Sequence, residues 1–220
     1  MVKKAIKNAL FILVRHGDTL LNDQEKYRGW SDDDSASLDK KGIKQARVAG
    51  RFLYNSPVRF GYIVSSDLDR SLHTAAIIGR VLGIKDIRTD PRLRPLDVGD
   101  YTGKDKETNS IDFYLENIDE KFPNGESVAQ FRARQKEASD EILEWARLHP
   151  DEKAIEIGHL SNVVYWEDID KSLRGYLENY ASDKEDLIHP GGIVAIMPDS
   201  EVIPLLGENK KADPKDKGLE

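Results

Sequence analysis

Cysteine is absent from the 220-residue sequence, so the chain forms no disulfide, offers no thiolate to a metal and carries no thiol nucleophile. Long apolar runs are missing too. The opening "MVKKAIKNALFILVRH" joins basic residues to an apolar run far shorter than the ~20 residues of a membrane span, and no small-residue cleavage site follows. Positive charge is in deficit: 33 Lys and Arg stand against 40 Asp and Glu, a formal net charge of -7. That balance argues against nucleic acid or an anionic membrane as a partner held by the overall field, so any anion must be held locally. Several catalytic motifs are lacking as well. There is no G-x-S-x-G elbow, no H-E-x-x-H and no G-x-G-x-x-G after a strand, and "GDYTGKD" lacks the spacing of a P-loop. The expectation is a cytoplasmic chain with neither membrane nor nucleic-acid partner.

At 39% hydrophobic, the sequence can bury one sizeable core. Apolar, β-branched runs alternate with stretches of helical period, the pattern of a parallel sheet covered by helices. Strands are expected at Leu10 to Arg15, Tyr62 to Ser65, Lys85 to Thr89, Ala154 to Ile157 and Ile193 to Met197. Asp39 suits the N-cap of a helix burying Ile43, Ala46, Gly50 and Leu53. Asp67 or Asp69 opens another, with Leu72, Ala75, Ala76, Gly79 and Leu82 facing in. Ser127 and Gln130 form a capping box for the longest helix, which His149-Pro150 stops. A single domain over residues 1–200 is predicted, with a polar insertion around 101–125 over one edge of the site. The charged tail 201–220 lacks the apolar surface to repay ordering and is expected to be disordered.

In a doubly wound sheet, ligands bind beyond the carboxyl ends of the strands. Here Arg15-His16 follows the first strand, "SSDLDR" with Arg70 the second, "LRPLDVGD" the third and Gly158-His159 the fourth. Four strand ends thus bring Arg, His, Arg and His to one face, a density of cations that costs Coulomb energy unless an anion sits among them. Phosphate fits, because guanidinium forks bind phosphoryl oxygens in pairs and stay protonated. A neutral imidazole adds a lone pair that can attack phosphorus, so one histidine is a candidate nucleophile. His73, His149 and His189 are assigned to structure, and Asp32-Asp33-Asp34 to a solvated turn rather than a metal cluster.

"LVRHGDT", "RGWSD", "LDKKGIKQAR", "VSSDLDRSLHTAAIIG", "LRPLDVGDYTG", "FPNGES" and "IGHLSN" occur in the order seen in the histidine phosphatase superfamily, the phosphoglycerate mutase-like enzymes. The resemblance runs from Leu10 to about Met197. It implies a three-layer α/β/α sandwich with a mostly parallel central sheet, a phosphorylated nucleophile at His16, and a phosphate pocket containing Arg15, Arg70 and His159. Asn22 matches a further phosphoryl contact, and Arg28 of "RGWSD" is taken as another substrate contact. One departure stands out. Relatives carry a glutamate that protonates the leaving oxygen, and the matching position here is Pro95. Asp97, two residues on, lies on the same side of an extended segment and is the candidate replacement; Asp18, Glu107 and Glu126 are weaker ones.

The sequence therefore reads as a phosphomonoesterase working through a phosphohistidine on a small phosphorylated metabolite, with no cofactor and no metal. A phosphoglycerate mutase-type phosphotransferase is the alternative, as is a catalytically weakened protein that binds a phospho-ligand. The assembly is left open between monomer and homodimer.

Overall fold

A computed structural model describes residues 1–20, 26–33, 36–167, 188–198 and 202–206. Helix α1 (Val2–Asn8) leads into β1 (Phe11–Arg15), followed by α2 (Lys40–Tyr54), β2 (Arg59–Ser65), α3 (Asp69–Leu82) and β3 (Ile87–Thr89). After two short 3-10 turns come α4 (Asp112–Glu116), α5 (Val128–Leu148), β4 (Glu152–Gly158), α6 (Leu160–Glu167), β5 (Ile193–Ile196) and β6 (Val202–Leu206). The six strands form one sheet in the order β3-β2-β4-β1-β5-β6. The first four are parallel, while β5 and β6 run antiparallel to their neighbours. Among the described residues no helix is long and apolar enough to cross a membrane.

Strand alternation sorts the core onto two faces. Ile12 and Val14 of β1 pack with Ala49, Leu53, Ala75 and Ile78 of α2 and α3. Phe11 and Leu13 point the other way, toward Ala138 and Ile142 of α5 and Val163 and Trp166 of α6. The arrangement is the expected sandwich of helices on a mostly parallel sheet.

The expected helix starts are met at α2, where the Asp39 side chain accepts from the Gly42 amide, and at α5, where Ser127 and Gln130 complete the capping box. At α3 the N-cap is Leu68, and no side chain caps it. Asp67 is drawn instead into a two-pronged ion pair with Arg94, and Asp69 accepts from Ser37. On that helix Ala76 is exposed, because Arg70, Ser71 and Thr74 take the inward positions nearest the site.

Two features differ from the sequence reading. The domain does not end near residue 200, since β6 extends the sheet and buries Leu205. Pro204 within it is tolerated because an edge strand leaves one row of amides unpaired. Residues 207–220 lie outside the described residues. The segment around 101–125, read as polar, contributes to a satellite core in which Leu115 and Phe122 pack with Tyr27, Leu96, Val98 and Phe131.

Candidate active site

Sheet register assembles the site. Arg15 of β1 pairs with Gly158 of β4, and Ser65 of β2 with Ile157. The residues that come next on these neighbouring strands, His16, His159 and Ser66, therefore emerge side by side. His16 N donates to Gly158 O at 3.0 Å and Ser66 N to Ile157 O at 3.0 Å. Immediately beyond, the chain presses against the first turn of α2. A Cβ on Gly17 would lie 2.5 Å from the Gly42 carbonyl oxygen, and one on Gly42 would overlap the carbonyl of Asp18. Both obstacles are backbone, so this approach requires glycine on each side.

The His16 ring is 2% exposed, and its Nδ1 lies 2.8 Å from Gly17 O. A carbonyl only accepts, so Nδ1 carries the proton and Nε2 keeps the lone pair. Arg28 Nη2, which can only donate, sits 3.4 Å from that Nε2, while its Nη1 donates to Thr19 Oγ1. The His159 ring lies 5.1 Å from that of His16, centroid to centroid. Its Nε2 is 2.9 Å from Ser66 Oγ and 3.4 Å from Ser71 Oγ. Arg70, buried in the first turn of α3, donates to the carbonyls of Ser31 at 2.8 Å and Gly29 at 3.2 Å. Arg15 donates to Ile188 O at 2.7 Å.

Burial, followed by the guanidinium groups of Arg28, Arg70 and Arg15, holds His16 well below the usual 6.5. Burial, then Arg70, His16, Arg28 and Arg134, does the same for His159. Both rings are consequently neutral at neutral pH. An NMR titration should find them still neutral at pH 6.5; a midpoint at or above 6.5 for either would contradict this environment. The sign for stability follows from linkage. As pH falls below 6.5, the unfolded chain takes up protons at these two rings before the native state does. Stability should therefore drop by about 1.4 kcal/mol per pH unit for each ring until the lowered native values are reached.

Sequence reasoning placed His16, His159, Arg15, Arg70 and Arg28, and all five fall in this cluster. Asn22 lies outside the described residues. Asp97 is half-buried, with Oδ1 accepting from the Gly99 amide at 3.0 Å in the turn that follows. His73 is exposed on α3, and His149 closes α5 with Nδ1 2.8 Å from Trp145 O and its ring stacked on Trp145. Asp32 and Asp33 have separate partners, the Asp69 amide and the Ser31 hydroxyl; Asp34 is outside the described residues.

Several contributors were missed. Ser66 and Ser71 hold His159, and Thr74 Oγ1 accepts from Gly17 N at 3.1 Å. Asn162 accepts from His159 N at 2.5 Å and donates to Gln135 Oε1 at 2.8 Å. Arg134 on α5 donates to the carbonyls of Arg92, Arg94 and Pro95 and forms an ion pair with Glu126. Ser66, at the end of β2, was visible in "SSDLDR", and Ser71 follows that motif directly on α3. The α5 contacts had no local signal.

The model of the histidine phosphatase superfamily (branch 1) matches residues 11–160, well over half of the chain. The chain belongs to the histidine phosphatase superfamily. Among its relatives, a 2,3-bisphosphoglycerate-dependent phosphoglycerate mutase of Methylobacterium sp. (strain 4-46) is 34% identical over 134 residues. That match covers 57% of this chain and 63% of the mutase, so the chain spans about three fifths of that relative's length. The crystal structure of a phosphoglycerate mutase from Thermus thermophilus superposes with a TM-score of 0.61 at 26% identity, covering 88% of this chain and 95% of the other. A mycobacterial glucosyl-3-phosphoglycerate phosphatase, at 22% identity, shares the fold with a TM-score of 0.62 over 84% of this chain and 87% of its own. Within this member of the superfamily, the Arg15-His16-Gly17 turn and the His159 strand end both lie inside the matched span.

Proposed function

We propose that the protein is a phosphomonoesterase that transfers a phosphoryl group to His16 and then to water. The observation that carries this reading is the orientation of the His16 ring. Gly17 O holds the Nδ1 proton, which leaves the Nε2 lone pair beside Arg28 Nη2 at 3.4 Å, with the second imidazole 5.1 Å away between ring centroids. In this reading the substrate phosphoryl group lies between Arg15, Arg28, Arg70 and His159, with Nε2 in line behind the phosphorus. The guanidinium groups stabilise charge on the equatorial oxygens as it redistributes. A single preorganised donor of this kind is typically worth about 2.7–4 kcal/mol in the transition state. Several such donors supply the charge that a metal would otherwise bring, so activity should survive a chelator.

The mutase alternative draws support from the name of the Methylobacterium relative. Hydrolysis is favoured by the shortness of the segment between Tyr101 and Gly125, whose apolar residues Ile111, Leu115 and Phe122 pack into a small core with Tyr27, Leu96, Val98 and Phe131. The test is to incubate the protein with labelled phosphate esters and quench in alkali, where phosphohistidine survives. Label on His16 together with release of inorganic phosphate is expected, with vanadate as an inhibitor. Interconversion of 2- and 3-phosphoglycerate in the presence of the bisphosphate, faster than phosphate release, would establish the mutase reading. Absence of label on His16 would end both.

A further inference from the structure

Among the described residues, the groups bordering His16 supply positive charge and neutral imidazole, and none supplies a carboxylic acid. The charged groups that bear on the His16 ring are the guanidiniums of Arg28, Arg70 and Arg15. Carboxylates do occur on the neighbouring segments: those of Asp97, Glu126, Asp67 and Asp18 are turned toward other groups of this chain, Glu107 is exposed, and Glu156 is buried inside the sheet in β4 without a hydrogen-bond partner among the described residues. Asp97 accepts from the Gly99 amide. Glu126 grips Arg134 with both oxygens, at 2.5 and 2.9 Å, and also accepts from the Asp97 amide at 2.9 Å. Asp67 is in a two-pronged pair with Arg94 at 2.7 and 2.6 Å, and Asp18 is held by Lys41 at 2.5 Å and Gln45 at 3.1 Å. Pro95 has no side-chain proton, and its carbonyl is already occupied by Trp30 Nε1 at 2.8 Å and Arg134 Nη2 at 2.7 Å. In this arrangement Glu126 and Asp67 have both carboxyl oxygens engaged within the chain, and Asp97 has Oδ1 engaged.

We infer, resting on the phosphatase reading above, that the site acts on phosphoryl groups carried by a weakly basic oxygen, that of a phenol, an enol or a carboxylic acid, and turns over alkyl phosphates poorly. In the first step the Nε2 lone pair forms an N–P bond while the P–O bond breaks, and its electron pair leaves on the oxygen. A phenolate or carboxylate departs as the anion and takes a proton from bulk water later. An alkoxide is about as basic as hydroxide, whose conjugate acid has a pKa near 15.7, so its expulsion without a proton is the barrier. In the second step water attacks phosphorus, the N–P bond breaks and its pair returns to Nε2, and the water proton passes to solvent. Imidazole leaves readily, so this half of the cycle depends less on an acid.

The experiment compares kcat/KM, which reports the phosphoryl-transfer step, for aryl phosphates with leaving groups of graded basicity, acetyl phosphate and glycerol phosphate. A steep fall with leaving-group basicity is expected, with glycerol phosphate slower than a nitrophenyl phosphate by roughly 10²–10⁴ beyond any difference in binding. Pro95→Glu should raise the glycerol phosphate rate and flatten the series. Asp97→Asn should change the aryl and alkyl rates by the same factor, and it serves as a second measurement should Pro95→Glu not fold. Glycerol phosphate turnover within tenfold of the aryl esters, or a loss confined to alkyl esters in Asp97→Asn, would overturn the inference while leaving the phosphatase reading standing. No phosphate release from any compound and no label on His16 would overturn the phosphatase reading itself.

Discussion

His16→Ala is expected to remove turnover of every phosphate ester, lowering kcat by roughly 10⁴-fold or more, as loss of the nucleophile does in enzymes that form covalent intermediates. Folding should be nearly unchanged. The bonds that hold residue 16 in place are made by its backbone, from His16 N to Gly158 O and from Gly191 N to His16 O, and neither depends on the imidazole. Removing a buried ring surrounded by three guanidiniums also leaves no paired charge behind. The measurement is a set of initial rates beside a thermal melt. Near-normal rates in His16→Ala would remove the covalent mechanism. Arg70→Ala should be milder in rate and broader in effect, since Arg70 also ties down the carbonyls of Gly29 and Ser31 in the neighbouring loop.

Glu156→Gln is expected to stabilise the protein in alkali and to leave the chemistry alone. Glu156 sits in β4, between β1 and β2, with 0% of its surface exposed, and neither carboxyl oxygen has a hydrogen-bond partner among the described residues. Burial, with a smaller push from Asp90, raises its pKa from 4.5 to about 8. A raised native value means that the stability held by the protonated form is complete below 4.5 and is lost as pH climbs through about 8. At pH 7 the unfolded chain has gained roughly 2.5 units of ionisation, on the order of 3 kcal/mol. Glutamine keeps the shape and cannot ionise. Its amide has no waiting partner, so little or no gain is expected at pH 5. Urea unfolding at pH 5, 7 and 9 should show the variant's advantage growing with pH. Parallel curves for the two proteins would mean that the carboxyl is not held neutral.

Much of this site was legible because its information is local. An apolar β-branched run followed by Arg-His-Gly marks a strand that ends where the chain must turn, and the same pattern at Ile157-Gly158-His159 marks a second. The parallel-sheet rule then puts both ends on one side of the molecule, so the sequence alone groups His16, His159, Arg15 and Arg70. The Asp39 cap and the Ser127–Gln130 box were equally local, since each joins residues three apart.

Other features are set by contacts between distant parts of the chain. Arg134 reaches Arg92 O across 42 residues, and the Asn162 amide reaches Leu93 O across 69; no spacing along the sequence announces either. Arg134, Gln135 and Asn162 together hold residues 92–95 and Glu126 holds the Asp97 amide, and these contacts decide where Pro95 and Asp97 stand. Spacing alone favoured Asp97 as an acid, since alternate residues of an extended segment share a side. In the folded chain its Oδ1 accepts from the amide of Gly99, where a 3-10 turn begins. The antiparallel direction of β5 and the addition of β6 were likewise beyond local pattern. An apolar run shows that a strand exists, whereas its direction and neighbours depend on which backbone amides and carbonyls it meets once the chain has closed on itself.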